Sequence, residues 1–522
     1  MDKLLIIPYP KDITVYGGWL DCRRFRLYGE ECFASKDFED YAKTIGEKTV
    51  EGTGIFFFID PELSLNPEGY ILDISDVGVS IKASTESGIR YAFSSLKQLY
   101  HNYCGVLPLS HIEDEPYLKH RGLLMDNGRY FFPKSDILKL LDLCYIHKLN
   151  VFHWHLTEDQ GWRIQIDKYP LLTEKGSKRS HTNFGCKPHG GFYTKEEIRE
   201  VIAYANERGI EVIPEIDMPS HMQAALACYP ELGCFDRKLK VATHSGVKHD
   251  VLCAGKESTY QFVFDVLEEV IELFGGNTKY IHIGGDETVH HRWKLCEHCR
   301  SLMEREGLKD EHELQAYFMK RVSDWLTEKG FVPIAWNGLG TDTLVNKNLV
   351  MQFWCNDFGG ENSLEYKQAM QYGGFINSTS KYTYLDFPYG MISLKQSYEF
   401  NPLPENYPEE KLLGSEIALW TEYVPNFKTG CKRLLPRSLA LAEAMWRKGD
   451  KDRYKEFLTR LYPTLRYLNQ EGFISSPMRI VNPGKFRGFL QTMWFERRQL
   501  HWEGLHYLID DAYISAKYKK KK

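Results

Sequence analysis

From about residue 118 the chain alternates short apolar runs with amphipathic stretches, in the repeated order strand, loop, helix. Eight runs predict strands, at 122–126, 150–156, 211–216, 280–284, 332–336, 349–353, 374–377 and 415–419. Between them the apolar positions return with the helical period. Ile137, Leu140, Leu141 and Cys144 share one face, as do Ile198, Val201, Ile202 and Ala205. Helix ends are marked as well: Thr194-Lys-Glu-Glu197 is a capping box, and stretches at 257–274 and 311–329 stop at Gly275 and Gly330. Eight strands alternating with helices predict a (β/α)8 TIM barrel in an α/β chain. A long proline-containing segment between strands seven and eight is the least regular part of this pattern.

The barrel does not use the whole chain. Residues 1–115 read as a small α+β domain, with period-two runs at 69–75 and 79–83 and a helix at 88–100 carrying Ile89, Ala92, Phe93 and Leu96. The acidic segment 111–116 reads as a linker into a catalytic barrel at 116–450. Residues 451–522 form a helical, aromatic appendage with no role legible in the sequence.

Composition narrows the function classes. The 522 residues are 43% hydrophobic and 26% charged, with 66 basic against 71 acidic residues and a formal charge of −5. A weakly acidic chain offers no broad footprint for nucleic acid, and the basic tail at 517–522 reads as a solvated end. No run approaches the ~20 apolar residues of a membrane span. The apolar run before Pro8 is too short for a secretory leader, so a cytoplasmic location is expected. The 12 cysteines read as thiols, mostly small core residues. Cys296-Glu-His-Cys299 has the spacing of half a zinc site, but no second such pair exists, so no metal is expected.

In a parallel barrel the chemistry collects at the C-terminal ends of the strands. Those ends carry Asn127-Gly-Arg129, Thr157-Glu-Asp-Gln-Gly-Trp162, Asp217-Met-Pro-Ser-His221, Gly285-Asp-Glu-Thr288, Trp336, Trp354, Tyr384-Leu-Asp386 and Trp420-Thr-Glu422. Acids, an arginine, a histidine and large aromatics thus share one rim. Flat rings cover the apolar faces of a sugar while charged groups bind its hydroxyls. His282-Ile-Gly-Gly-Asp-Glu287 is the sharpest signal: two glycines admit a ligand close to the backbone, and two adjacent carboxylates follow.

These blocks resemble glycoside hydrolase family 20, the β-N-acetylhexosaminidases. The resemblance runs from about residue 1 to 450 and rests on His120–Arg129, the block from Leu149 to Trp162, the HIGGDE block, and the Tyr-Leu-Asp and Trp-Thr-Glu motifs. It implies an exo-acting, retaining, substrate-assisted glycosidase, with Glu287 as general acid and base and Asp286 orienting the substrate acetamide. Tyr384 would hold the acetamide carbonyl, and Trp336, Trp354 and Trp420 would wall its pocket. Arg129, Glu158, Asp159, Asp386 and Glu422 would bind sugar hydroxyls, together with His221. Asp217 and His282 would support the acid, while His153 and His155 would be structural. The implied partner is an N-acetylhexosamine-terminated oligosaccharide or glycoconjugate, with no cofactor, nucleic acid or membrane. Two departures bear on specificity: Glu158 stands where the family often has an aspartate, and Asn337-Gly338 follows Trp336 where it commonly has an acid.

Two rival readings remain open. His153-x-His155 at a strand end also suits a metal-dependent N-acetyl sugar deacetylase of the amidohydrolase type. A barrel that binds sugar without cutting it would fit the aromatics, although it would usually lack an acid such as Glu287.

Overall fold

Inward-facing side chains recur at every second position along each barrel strand, and the layers they form explain the interior. The computed structural model describes residues 3–29, 47–48, 51–338, 346–355, 363–449, 451–499, 511–512 and 514–517. Residues 518–522 of the basic tail lie outside them. Eight parallel strands close the barrel: His120–Asp126, Val151–His155, Glu211–Glu215, Tyr280–His282, Val332–Trp336, Val350–Phe353, Gly374–Asn377 and Leu412–Leu419, the last pairing with the first. Val151, Ile213, Ile334, Val350 and Ile376 form an apolar floor. Leu124, Trp336, Tyr384, Ala418 and Trp420 pack together towards the other end. Between them lies a polar layer: Glu416 pairs with His153 at 2.9 Å and with His120 at 2.7 Å, and Glu215 lies 3.0 Å from His153. The helices that cover the barrel follow the predicted faces. Lys195–Glu207 starts with a complete Thr194–Glu197 capping box, and Ile198, Val201, Ile202 and Ala205 are its buried stripe.

The N-terminal domain is larger in strands than its sequence pattern suggests. Seven strands form one sheet, packed against the helix Glu86–Asn102. The segment expected as a linker is instead part of the strand Val106–Asp114, which pairs on both sides, with Asp12–Asp21 and with Tyr70–Ser75. Its acids have partners that a linker would lack. The buried Asp114 carboxylate accepts from the Tyr70 hydroxyl at 2.7 Å, Lys148 at 2.8 Å and the Trp446 indole at 2.8 Å, tying the sheet to the barrel.

The appendage also packs. In the helix Tyr454–Gln470, Arg460 forks the buried Glu443 at 2.5 and 2.7 Å and donates to the Ile6 carbonyl at 2.9 Å. The following helix, Lys485–Gln499, brings Phe495 against Phe387 and Tyr423, with ring centroids 5.6 and 5.2 Å away. Among the described residues no helix is long and apolar enough to cross a membrane.

Candidate active site

The fourth strand ends at His282, and the chain then turns on Gly284 and Gly285, at φ +64° and +106°. Glycine at 284 has a second cause: a Cβ there would lie 1.7 Å from Asp217 Oδ1. The Gly285 N–H donates to that oxygen at 3.2 Å, the Gly284 N–H to His282 Nδ1 at 3.1 Å, and the Ser220 hydroxyl to the Asp286 carbonyl. This frame projects Asp286 and Glu287 towards the rim, with Glu287 itself at φ +50°, a conformation that costs energy for a side-chain-bearing residue. Gly284→Ala is therefore expected to displace both carboxylates and cut kcat by on the order of 10²-fold as well as lower Tm. Wild-type turnover and melting would mean that the turn adapts.

Asp286 and Glu287 converge on one nitrogen. His221 Nε2 lies 3.7 Å from Asp286 and 3.5 Å from Glu287, while its Nδ1 is 3.1 Å from Glu158. A run of alternating acids and imidazoles continues inward: Glu158 to His155 at 3.2 Å, His155 to Glu215 at 2.5 Å, then Glu215 to His153. Burial disfavours charge on these histidines, but the carboxylates outweigh it. His153 is raised to about 9 by Glu416 and Glu215, and His155 and His221 are raised well above the usual range. Glu158 is held low against its burial by Arg129 and His221. His282, by contrast, is held low by burial.

The two adjacent carboxylates differ. Burial, opposed by His221 and assisted by Glu287, pushes Asp286 up to about 6. Burial would raise Glu287 too, but the His221 imidazolium holds it below the usual range, and its side chain is 39% exposed. Asp217, almost fully buried, is raised by that burial and by Asp286.

A cavity of about 180 Å³ opens in front of this pair, and Trp354, Tyr384, Asp386, Trp420, Glu422 and Arg129 complete its walls with Phe387, Tyr423 and Phe495. Arg129 pairs with Glu158 at 2.7 Å, lies 3.8 Å from Glu422 and stacks over Trp420 at 4.9 Å. Burial and Glu422 push Asp386 up to about 8. Asp286 Oδ1, Asp386 Oδ1 and Trp420 Nε1 are buried without a hydrogen-bond partner among the described residues. Such unmet groups, lining one cavity, suit a hydroxylated ligand. An adjoining cavity of about 340 Å³ shares Arg129, Glu287 and Glu422 and adds Glu158, His221 and the loop residues Ser245, Gly246 and Val247. Another cavity, about 390 Å³, lies at the other end of the barrel beside His120, Val151 and Glu211, away from all of these groups.

Most of the residues expected from sequence thus meet at one rim, but four stand behind it. Asp159 faces neither cavity: it is buried and accepts the Gln223 N–H at 2.9 Å, so it braces a loop rather than a sugar hydroxyl. Trp336 is buried behind Trp420, with its indole donating to Glu215 at 2.7 Å. Asp217 and His282 form the turn frame already described. His153 and His155 are enclosed among Glu215, Glu416 and Glu158 and line neither cavity.

Other contributors carried no motif. Asp126 accepts Thr421 N–H at 2.9 Å and Arg129 N–H at 3.1 Å, locking the first strand end to the eighth. Asn337 accepts the Trp354 N–H at 2.9 Å and, through its carbonyl, the Trp354 indole N–H at 3.2 Å. Asn337 thus anchors Trp354 through both its side chain and its backbone. Asp126 could have been found from its place beside Asn127-Gly-Arg129, whereas nothing in the sequence marked Phe495.

Comparison with known proteins identifies the family. The model of the glycosyl hydrolase family 20 catalytic domain matches residues 118–449, and that of the family's domain 2 matches residues 5–115. A beta-hexosaminidase of Porphyromonas gingivalis is 40% identical over 459 residues, 84% of this chain but only 58% of that protein. The chain thus spans little more than half the length of that relative. A beta-hexosaminidase of Akkermansia muciniphila is 32% identical over 73% of this chain and 80% of its own. Among solved structures, the beta-N-acetylhexosaminidase of Bacteroides fragilis superposes with a TM-score of 0.78 at 35% identity, covering 90% of this chain and 97% of that one. An exo beta-N-acetylglucosaminidase of Vibrio harveyi in complex with N-acetylglucosamine gives 0.79 at 28% identity, over 91% of this chain and 79% of that one. With both of its domains matched in order and the paired carboxylates at the fourth strand end, the chain belongs to glycosyl hydrolase family 20.

Proposed function

We propose that the protein is an exo-acting, retaining β-N-acetylhexosaminidase that removes a terminal N-acetylhexosamine by substrate-assisted catalysis. One observation carries this reading: Asp286 and Glu287 are adjacent, enter the cavity from one strand end and approach the same His221 nitrogen. A two-carboxylate retaining mechanism places its nucleophile and acid on opposite faces of the sugar. Two neighbours on one side do not supply that pair, but they suit a substrate that carries its own nucleophile.

In the first step the acetamide carbonyl oxygen attacks the anomeric carbon as the bond to the leaving oxygen breaks. Glu287 gives its proton to that oxygen. Asp286 accepts from the acetamide N–H and stabilises the positive charge that develops on the resulting oxazolinium. The Tyr384 hydroxyl donates to the carbonyl oxygen, and Trp354 and Trp420 enclose the methyl group. In the second step Glu287 takes a proton from water, which attacks the anomeric carbon and restores the acetamide with retained configuration. Arg129, Asp386 and Glu422 hold the hydroxyls of the terminal sugar. Nitrophenol release from the β-N-acetylglucosaminide, with NMR of the first-formed anomer, tests the reading; an inverted product would overturn it.

The pH profile follows from the pair. The productive form has Glu287 protonated and Asp286 ionised, one proton between them. A proton resting on Asp286 gives the same count, and Asp286 is the group raised to about 6. As pH rises through about 6 that proton is lost and kcat/KM is expected to fall. A second fall is expected on the acid side, below the usual carboxylate range, where the lowered Glu287 also binds a proton. Activity that stays flat from neutral into alkaline pH would show that the pair does not share its proton.

A further inference from the structure

Four cysteines that the mechanism does not use meet beside the catalytic loops. Cys253 Sγ is 3.7 Å from Cys296 Sγ and 3.6 Å from Cys299 Sγ, Cys234 Sγ is 3.8 Å from Cys299 Sγ, and all four lie within 4.8 Å of one another. These separations are far longer than the ~2.05 Å of a disulfide. They match the ~3.8 Å edge of a tetrahedron whose centre lies ~2.3 Å from each sulfur, the geometry of zinc bound by four thiolates. We propose that Cys234, Cys253, Cys296 and Cys299 bind one structural zinc ion. This site stands independently of the glycosidase reading.

The local architecture is that of two opposed ligand pairs. Cys234 and Cys253 sit on segments held together by a bridge between Gly233 and Leu252 and by the Cys253 N–H donating to the Leu232 carbonyl at 2.9 Å. Cys296 caps the helix Glu297–Glu306 without a side-chain capping bond, and Cys299 stands one turn along. A thiolate at Cys296 is favoured by the positive end of that helix. The two halves press closely: a Cβ on Gly255 would lie 2.2 Å from the His298 backbone carbon. Close-packed core thiols need no such mutual contact, and among the described residues no other group of cysteines makes one. Soft sulfur donors alone, in a tetrahedral set, select zinc over harder cations. Binding displaces the thiol protons to solvent, so the site holds metal less well at low pH.

Its position gives the ion a task. Cys234 and Cys253 bracket the loop that brings Ser245, Gly246 and Val247 to the rim and whose Ala242 N–H donates to the Asp159 carbonyl. Cys296 and Cys299 follow Asp286 and Glu287 in the chain, and the Trp293 indole donates to the Leu252 carbonyl at 2.9 Å. Zinc would therefore clamp the loop after strand three to the segment after strand four. Sequence reading missed the site because its second pair is split across a loop and does not have CxxC spacing.

The test is elemental analysis of the full chain, expressed without a histidine tag and purified under reducing conditions. One zinc per chain is expected, released stoichiometrically to a chromogenic chelator when a mercurial blocks the thiols. Cobalt loading should give thiolate-to-cobalt charge transfer and tetrahedral ligand-field bands. Cys253→Ser and Cys299→Ser should lose most of the metal, with a lower Tm and a raised KM. If these variants do not fold, the wild-type metal content and the cobalt spectrum still decide. Metal-free protein with four freely titrating thiols, disulfides among these residues in a non-reduced peptide map, or iron in place of zinc would each overturn the assignment.

Discussion

Glu287→Gln is expected to lower kcat/KM by about 10²–10⁴-fold on a β-N-acetylglucosaminyl sugar while leaving Tm unchanged. The amide keeps the shape of the side chain but has no proton to give the leaving oxygen and cannot take one from water. Because the residue lies at the mouth of the cavity, 39% exposed and 3.5 Å from His221 Nε2, its replacement disturbs little packing. The size of the loss should depend on the leaving group. A sugar alkoxide needs the proton as the bond breaks, whereas nitrophenolate leaves with little help. The first step should therefore be hurt far more for a disaccharide than for the nitrophenyl glycoside, although the second step loses its base in both. An equal loss across leaving groups would place Glu287 outside the proton transfer, and an unaffected variant would remove it from the mechanism.

How much of this was legible in the sequence depended on the kind of signal. All eight barrel strands were visible as short apolar runs, because strands buried on both faces need no alternation. Their ends shifted by a residue or a few, as at Leu412–Leu419, where pairing with His120–Asp126 carries the strand further back than 415–419. The mistaken linker had a physical cause. His111, Glu113 and Asp114 look like solvated acids and polar groups, yet His111 pairs with Asp73 across the sheet and Asp114 answers three buried donors. Polarity was read as exposure, whereas the structure supplies the partners. The same blindness hid Glu215 and Glu416, whose importance lies in the imidazoles they meet inside the barrel. At the rim, motifs picked out Asp286, Glu287, Arg129 and Tyr384 at strand ends, and the structure brings them to one cavity. Motifs could not separate Asp159, which braces the Gln223 turn, from its neighbour Glu158, which grips Arg129. Only the direction of each side chain does that.

Replacing the acetamido group of the substrate by a hydroxyl is expected to have the largest effect of all. An intramolecular nucleophile held against its target corresponds to an effective concentration of roughly 10⁵–10⁸ M, so the plain β-glucoside should turn over on the order of 10⁴-fold more slowly or not at all. The other carboxyl groups of the cavity do not replace the lost nucleophile: Asp286 comes from the same side as the acid, Asp386 is pushed up to about 8 by burial and Glu422 and so carries a proton near neutrality, and Glu422 is drawn to Arg129, 3.8 Å away. Asp286→Asn separates the nucleophile from its support. Asparagine still accepts the acetamide N–H through its carbonyl oxygen, but it brings no negative charge to the oxazolinium. A fall of about 10²–10³-fold is expected, the scale seen when one preorganised electrostatic partner of a developing charge is removed. That fall should be confined to the acetamido substrate, so the ratio between the two glycosides narrows in the variant. Measuring both sugars with both proteins reads the coupling directly. Comparable turnover of the two sugars by the wild type would end the substrate-assisted assignment. An Asp286→Asn variant that slowed both alike would make Asp286 a part of the frame around Gly284 rather than the partner of the acetamide.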